Sequence, residues 1–343
     1  MVRSLLECAR VVDVQEQHHL DWSWHGHNPG CGFVSISLEE HRMSVERLSR
    51  SLWGAWDGAN ATWPLPEQAL LQPFWDYLRQ SHASTLRSPL FPVLLSVSTY
   101  LVLVLLYTTL DLLAPTWPSI RRYQLHPERT VTWSNVGNTL ALTTYNHLLY
   151  IFPAAVAQWL WRPPVPLPHH APSLTSFLLG IAGCTVLFDF QYFVWHLLHH
   201  RIAWLYATFH AVHHQYRQTF SLVTQYLSAW ELISVGLWTT VDPLLLNCHC
   251  LTTWAFMVFN VWVSAEDHCG YDFPWAMHRL VPFGLWGGAP RHDVHHTQPG
   301  TNFAPFFTHW DWLAGTASAP VKFCNNNDHN SLKENGLGSD KGD

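Results

Sequence analysis

Hydropathy divides the chain into a polar start, a long apolar middle cut into membrane-length pieces, and a polar end. Residues 1–65 are polar and contain His and Trp. They read as a poorly ordered extension, with Gly and Asn spread through WHGHNPGCG and WDGANATW. No signal-peptide-like apolar core stands near Met1, and Met43, which opens MSVERLSRSLWG, is an alternative start residue. The first apolar segment runs from Leu90 to Leu113 with Asp111 as its only charge. As a helix it rises about 36 Å, enough to cross a hydrocarbon core of about 30 Å. The second, Val131 to Trp161, contains no charged residue, and Asn146, His147 and Pro153 predict a kink or tilt. After the proline-rich turn RPPVPLPHHAP, Ser173 to Phe188 begins a third span that runs into Asp189 and a group of histidines.

A last apolar stretch, Leu232 to Ala265, is interrupted by Asp242-Pro243. Its helical length of about 51 Å is short of two full crossings, which predicts a helical hairpin dipping into the bilayer and bending near that dipeptide. From Thr316 the chain turns polar, and NNNDHNSLKENGLGSDKGD reads as a disordered tail. The expected fold is therefore all-α and polytopic: about three transmembrane helices, a membrane-dipping hairpin and a cytosolic, histidine-rich helical catalytic region. The expected divisions are an extension (1–65), an N-terminal transmembrane region (66–170), a catalytic domain (171–318) and a tail (319–343). Arg121 and Arg122, just beyond the first span, put that end in the cytosol by the positive-inside rule. Asn60-Ala61-Thr62 is a glycosylation sequon, consistent with a lumenal start and a glycoprotein.

Composition agrees with a membrane setting. Charged residues make up 12% of the chain against about 25% in soluble proteins, and there are 20 tryptophans, a residue that collects at membrane interfaces. A net charge of −6 gives no bulk basic character for nucleic acid. Seven scattered cysteines do not form a disulfide framework, and the Cys248-His249-Cys250 triplet lacks the partner cysteines of a structural zinc site.

The 24 histidines change the picture. Three H-x-x-H-H clusters stand out: His196, His199 and His200; His210, His213 and His214; His292, His295 and His296. Composition alone would give about 0.1 such pattern per chain. On a helix, positions i, i+3 and i+4 share a face, so each cluster can aim imidazoles at one point. His268, in EDHCGYDFPW, is a tenth candidate ligand. Nine or ten imidazoles exceed what one ion takes, which implies two metals, and histidine-rich sites with open positions suit a redox metal such as iron. Asp189, Glu231, Glu266, Asp267 and Asp293 lie close enough in sequence to orient ligating imidazoles. His147 reads as a buried polar contact. His18, His19, His25, His27, His169, His170 and His309 lack the spacing and read as bystanders.

The run FDFQYFVWHLLHHRIAWLYATFHAVHHQ, followed by EDHCGYDFPW, PFGLWGG, HDVHH and NFAPFFTHWDWLAGT, resembles the fatty-acid hydroxylase/sterol desaturase superfamily over roughly Leu65 to Thr316. The resemblance implies a multi-pass endoplasmic-reticulum enzyme with two Fe ions on the cytosolic face. It implies hydroxylation of a sterol, cholesterol, at carbon 25 of the side chain to give 25-hydroxycholesterol. O₂ would be the oxidant, with NADPH-derived electrons delivered by a separate donor of the cytochrome b5 or reductase type. No G-x-G-x-x-G fingerprint occurs, which agrees with electrons arriving from another protein. By the same resemblance, His196, His200, His210, His213, His214, His292, His295 and His296 carry the catalytic metals.

The first cluster is H-x-x-H-H where many relatives have H-x-x-x-H-H, so the ligating pair there is His196 with His200. Arg291 stands where several relatives carry another histidine. Phe190, Tyr192, Phe193 and Trp195 are candidates for the substrate route, with core packing the simpler role. Two alternatives stay open at this point: a 4-methylsterol oxidase or C5-desaturase-like sterol enzyme, and a histidine-rich metal transporter, whose ligands would face one another near mid-bilayer.

Overall fold

A computed structural model describes residues 66–161 and 165–319. Within them the chain is helical, with two isolated bridges (Gln124 to Tyr271, Trp286 to Phe307) and no strand. The expected extension, Met43, the Asn60 sequon and nearly all of the tail fall outside the described residues.

Helix α1 (Pro66–Leu86) precedes the first apolar helix, α2 (Phe91–Leu113). The second apolar segment is two helices in line, α3 (Trp133–Asn146) and α4 (Phe152–Trp161), joined by a π-helical turn at His147–Ile151. The expected kink is thus a π turn. Pro153 has no N–H and its ring collides with the carbonyl four residues back, while the Phe152 N–H bonds to His147 O, five residues back. The third apolar helix, α5 (Leu174–Arg201), is capped by the Ser173 hydroxyl, which accepts from the Ser176 N–H. These three segments are long and apolar enough to cross a membrane, and at most a third of each most apolar window (17%, 17% and 33%) is buried inside the protein. Most of their surface is therefore left for lipid.

The one charge in the first span is accounted for. Asp111 is buried and accepts from Arg129 Nη2 (3.1 Å) and the Tyr271 hydroxyl (2.9 Å). On α3 the buried stripe Val136, Thr139, Thr143 and Asn146 carries polar groups for a purpose. Thr143 Oγ1 donates to Gln225 O and Asn146 Nδ2 to Leu227 O. Irregular backbone at membrane depth must be satisfied by protein, and these side chains do it.

Helices α6 (Ala229–Leu245) and α7 (Cys250–Asp267) form the hairpin. Pro243 lies inside the last turns of α6 and the reversal falls at 246–249, a few residues later than Asp242-Pro243, where Asn247 adopts φ 51°. A proline near a helix end removes only a bond that fraying would weaken, so α6 continues past it. The tip meets the approach to α5: His249 Nε2–H donates to His170 O (3.1 Å) and Trp75 packs edge-on against the His249 ring. Hence the Cys248-His249-Cys250 triplet serves as a helix start, with His249 Nδ1 accepting from the Leu251 N–H. Gly180 lets α5 and α7 close, since a Cβ there would stand 2.7 Å from Thr252 Cγ2.

One apolar cluster gathers Phe91, Phe177, Cys250, Leu251 and Trp254, the N-terminal ends of α2, α5 and α7. At the opposite end lie Tyr107, Leu110, Leu125, Cys269 and Tyr271. Two short helices complete this end, α8 (Gly288–Thr297) and α9 (His309–Ala314). All the clustered histidines belong to it.

Candidate metal centre

Nine of the ten candidate histidines assemble into two groups, each with ligand atoms within 4.8 Å of one another: His196, His200, His210, His214 and His295; and His213, His268, His292 and His296. The groups cut across the sequence clusters. In every H-x-x-H-H the first and last histidines stay together (His196 with His200, His210 with His214, His292 with His296) while the middle one departs. In the first and third clusters α-helical geometry explains this, since i and i+4 differ by about 40° whereas neighbours i+3 and i+4 diverge by about 100°. In the second, a π turn (Tyr206–His210) followed by a 3₁₀ turn (His213–Gln215) brings about the same pairing. His213 leaves the second cluster for the four-membered group, and His295 leaves the third for the five-membered one.

His199, the middle member of the first cluster, joins neither group. Its Nδ1–H donates to Trp195 O (2.6 Å) and its ring stacks on Trp195 at 3.6 Å, pointing away from the other imidazoles. The expected ligand role of His199 has no support in this geometry. His268, the candidate outside the clusters, has the opposite outcome: its Nε2 lies 2.8 Å from His292 Nε2 and 3.2 Å from His213 Nε2.

The contacts inside each group fit metal and not ordinary hydrogen bonding. Nε2 faces Nε2 at 2.9 Å for His196 and His210, 2.9 Å for His210 and His214, 3.1 Å for His200 and His214, and 3.1 Å for His214 and His295. Meanwhile the far nitrogens are committed as donors. Nδ1–H of His196 donates to Phe303 O (2.7 Å), of His295 to Thr301 O (2.7 Å), of His296 to Tyr216 O (3.0 Å) and of His268 to Ser264 O (2.8 Å). A neutral imidazole with a protonated Nδ1 presents a lone pair at Nε2. Lone pairs at these separations repel unless a cation lies between them. Right-angled ligands at a metal–nitrogen distance of about 2.1 Å stand about 3.0 Å apart, the spacing found here.

The rings are held neutral as well as aimed. Burial, reinforced by neighbouring imidazoles, pushes His210, His213, His292 and His296 well below the ordinary histidine range. Burial also lowers His214, and it brings His268 and His295 down to about 4.

Of the five carboxylates expected to orient ligands, only Glu231 meets an imidazole of the two groups, accepting from His210 Nδ1–H at 2.8 Å with both groups fully buried. Asp189 instead accepts from the Phe306 and Phe307 N–H groups, holding the strip that carries Phe303. Glu266 accepts from the Met277 N–H. Asp293 pairs with His126 Nε2 at 2.7 Å, a histidine with no motif to signal it. Asp267 is buried beside His268 with Oδ1 lacking a partner. The four carbonyl acceptors are backbone groups, which no side-chain pattern could reveal. Among the expected bystanders, His169 pairs with Arg79, His170 offers its carbonyl to His249, and His309 packs at a tilt against Trp310.

A cavity of about 390 Å³ reaches this end from the membrane flank. Its wall includes His213, His268 and His292 of the four-membered group and none of the five-membered group. Phe188, Tyr192, Leu232 and Phe306 surround the approach. Among the aromatics expected on a substrate route, Tyr192 lines the cavity. Phe190 and Phe193 pack on Trp310 instead, and Trp195 on His199.

Comparison with known proteins decides the family. Residues 181–316 match the fatty acid hydroxylase family. A zebrafish (Danio rerio) protein named cholesterol 25-hydroxylase-like protein 2 is 81% identical over 78% of this chain and 96% of its own length. The chain belongs to the fatty acid hydroxylase family. It is accordingly a hydroxylase and a membrane protein. Human cholesterol 25-hydroxylase is 48% identical over 74% of this chain and 94% of its own length. A cholesterol 25-hydroxylase-like protein of Caenorhabditis elegans is 38% identical over 71% of this chain and 81% of its own. No solved structure matches.

Proposed function

We propose that this protein hydroxylates cholesterol at carbon 25 in the endoplasmic-reticulum membrane, giving 25-hydroxycholesterol. Its two histidine groups hold two Fe ions on the cytosolic face. O₂ is the oxidant, and NADPH-derived electrons come from a separate protein of the cytochrome b5 or reductase type. The observation that carries this reading is the apolar cavity that runs from the membrane flank to His213, His268 and His292. The names of the relatives support the sterol and the position attacked. Confinement of the histidines to one end of the spans argues against a transporter, whose ligands would sit near mid-bilayer.

An unactivated tertiary C–H bond is beyond acid–base chemistry at neutral pH, so a cofactor must carry the oxidation. When bound, the iron pair supplies the oxidising power for inserting one oxygen atom of O₂ into that bond. The chain's own residues do the rest. Glu231 fixes the tautomer and ring plane of His210. The carbonyls of Phe303, Thr301, Tyr216 and Ser264 do the same for four further rings. Phe188, Leu232 and Phe306, all buried, keep water from the approach to His268 and His292.

Expression of the full chain in sterol-hydroxylase-null cells, followed by mass spectrometry of extracted sterols, tests the proposal. The expected product is 25-hydroxycholesterol; a ring-oxidised or desaturated sterol in its place contradicts the regiochemistry and points to the alternative sterol enzymes.

A further inference from the structure

The cavity has a direction. At its inner end the lining residues His213, His268, His292 and Asp267 are buried, while Ala154, Gln158, Ile233, Gly236, Leu237 and Thr240 are exposed. Ile233 is 41% and Leu237 57% exposed, so the mouth lies on the flank between α4 and α6. This mouth opens between the apolar second span and the apolar hairpin.

Its depth follows from where these residues stand on their helices. Ala154 and Gln158 belong to α4, the half of the second span beyond the π turn, which ends at the exposed Trp159 and Trp161. Thr240 is in the second half of α6, approaching the hairpin tip, and Leu237 is at its middle. Deeper lining residues from other helices agree: Val93 opens α2, and Met257 lies in the first half of α7, three helical turns from His268. Those eleven residues of helix correspond to about 17 Å. Ala154, Gln158 and Thr240, with Val93 and Met257, thus occupy the half of the apolar region away from the histidines, while Ile233, Gly236 and Leu237 carry the opening toward its middle.

We infer that substrate enters tail-first from the leaflet opposite the metal centre, through the opening between α4 and α6. This rests on the sterol reading above. A sterol keeps its single hydroxyl at the nearest interface and points its hydrocarbon tail toward the bilayer midplane. A molecule in the opposite leaflet therefore presents its side chain to a cavity that leads inward to His268 and His292. One in the near leaflet would present its ring hydroxyl end. The direction of the cavity thereby selects side-chain carbons over ring carbons. The same metal groups approached from the near leaflet would favour ring oxidation.

Photolabelling of the full-length protein in phosphatidylcholine vesicles tests this with no dependence on turnover. Two cholesterol probes are used, one with a diazirine on the ring system and one with it near the end of the side chain, and labelled peptides are mapped with and without excess cholesterol. The expected result is competed labelling of 152–161 and 233–240 by the ring probe, and of peptides containing His213, His268 or Phe306 by the tail probe. The reverse assignment overturns the inference and leaves sterol binding standing. Competed labelling at neither end overturns both. Gly236→Trp provides a second arm: a Cβ at Gly236 meets nothing within 4 Å, so the indole projects into the mouth. Loss of labelling by both probes is expected; unchanged tail-probe labelling places the entrance elsewhere and overturns the inference.

Discussion

The two histidine groups are built from the same motif and yet differ in what they face. The five-membered group contains two half-buried rings, His200 and His214, and has no part in the apolar cavity. The four-membered group is buried throughout, and three of its members line the cavity wall. An octahedral ion has one position left beside five imidazoles and two beside four. The group with fewer imidazoles is the one that the apolar cavity reaches. The difference teaches that the imidazoles are apportioned by access: the group at the cavity wall has one ring fewer than the group away from it.

Removing a central ring from either group is the strongest way to break the comparison. His214→Ala deletes the Nε2 that stands 2.9–3.1 Å from three other rings of its group, and His292→Ala deletes the counterpart between His268 and His296. Each is expected to abolish product and to lower iron from two to one per chain by elemental analysis. Loss of both metals in either variant would mean that the groups are not independent. Glu231→Ala acts more gently, because His210 keeps its place but loses its anchor. A drop of about 10–100-fold in metal affinity is expected for the five-membered group alone. Titration with a chelator should then show one weakened and one unchanged site.

Acid should weaken the metal-free protein. The His268 and His295 rings titrate in the fold at about 4, and an unfolded chain takes up those protons near 6.5. The unfolded state therefore binds more protons between these values, and folding stability falls as pH drops through that window. Melting of chelator-treated protein should shift down between pH 6.5 and 4; a Tm constant over that range would contradict the buried neutral rings. The smallest effect belongs to His199→Ala. Iron content should be unchanged, with about 1 kcal/mol of stability lost from the Trp195 stacking.

The spans, the hairpin and the gathering of the clustered histidines were legible because hydropathy and histidine spacing are side-chain properties. Asp111 announced itself as the only charge in its segment, although its partners Arg129 and Tyr271 come from distant positions. Histidine partition was only half legible. The 100° between neighbouring helical positions already separates His199 from His200 and His295 from His296, yet which group takes the odd ring depends on how α5, α7 and α8 pack. His268 was readable from EDHCGYDFPW only as a candidate, since its contribution depends on α7 ending beside α8. The carbonyl anchors, the π turns and the role of His249 at the hairpin tip are backbone outcomes of tertiary packing, which composition and period do not encode.

The most direct measurement is Mössbauer spectroscopy of the iron-57-enriched, full-length protein with and without cholesterol. Two iron sites per chain are predicted, only one of which changes its spectrum when the sterol is added, and that one is the site missing from His292→Ala. A single iron per chain, or equal perturbation of both sites by the sterol, would contradict the division of labour between the two groups.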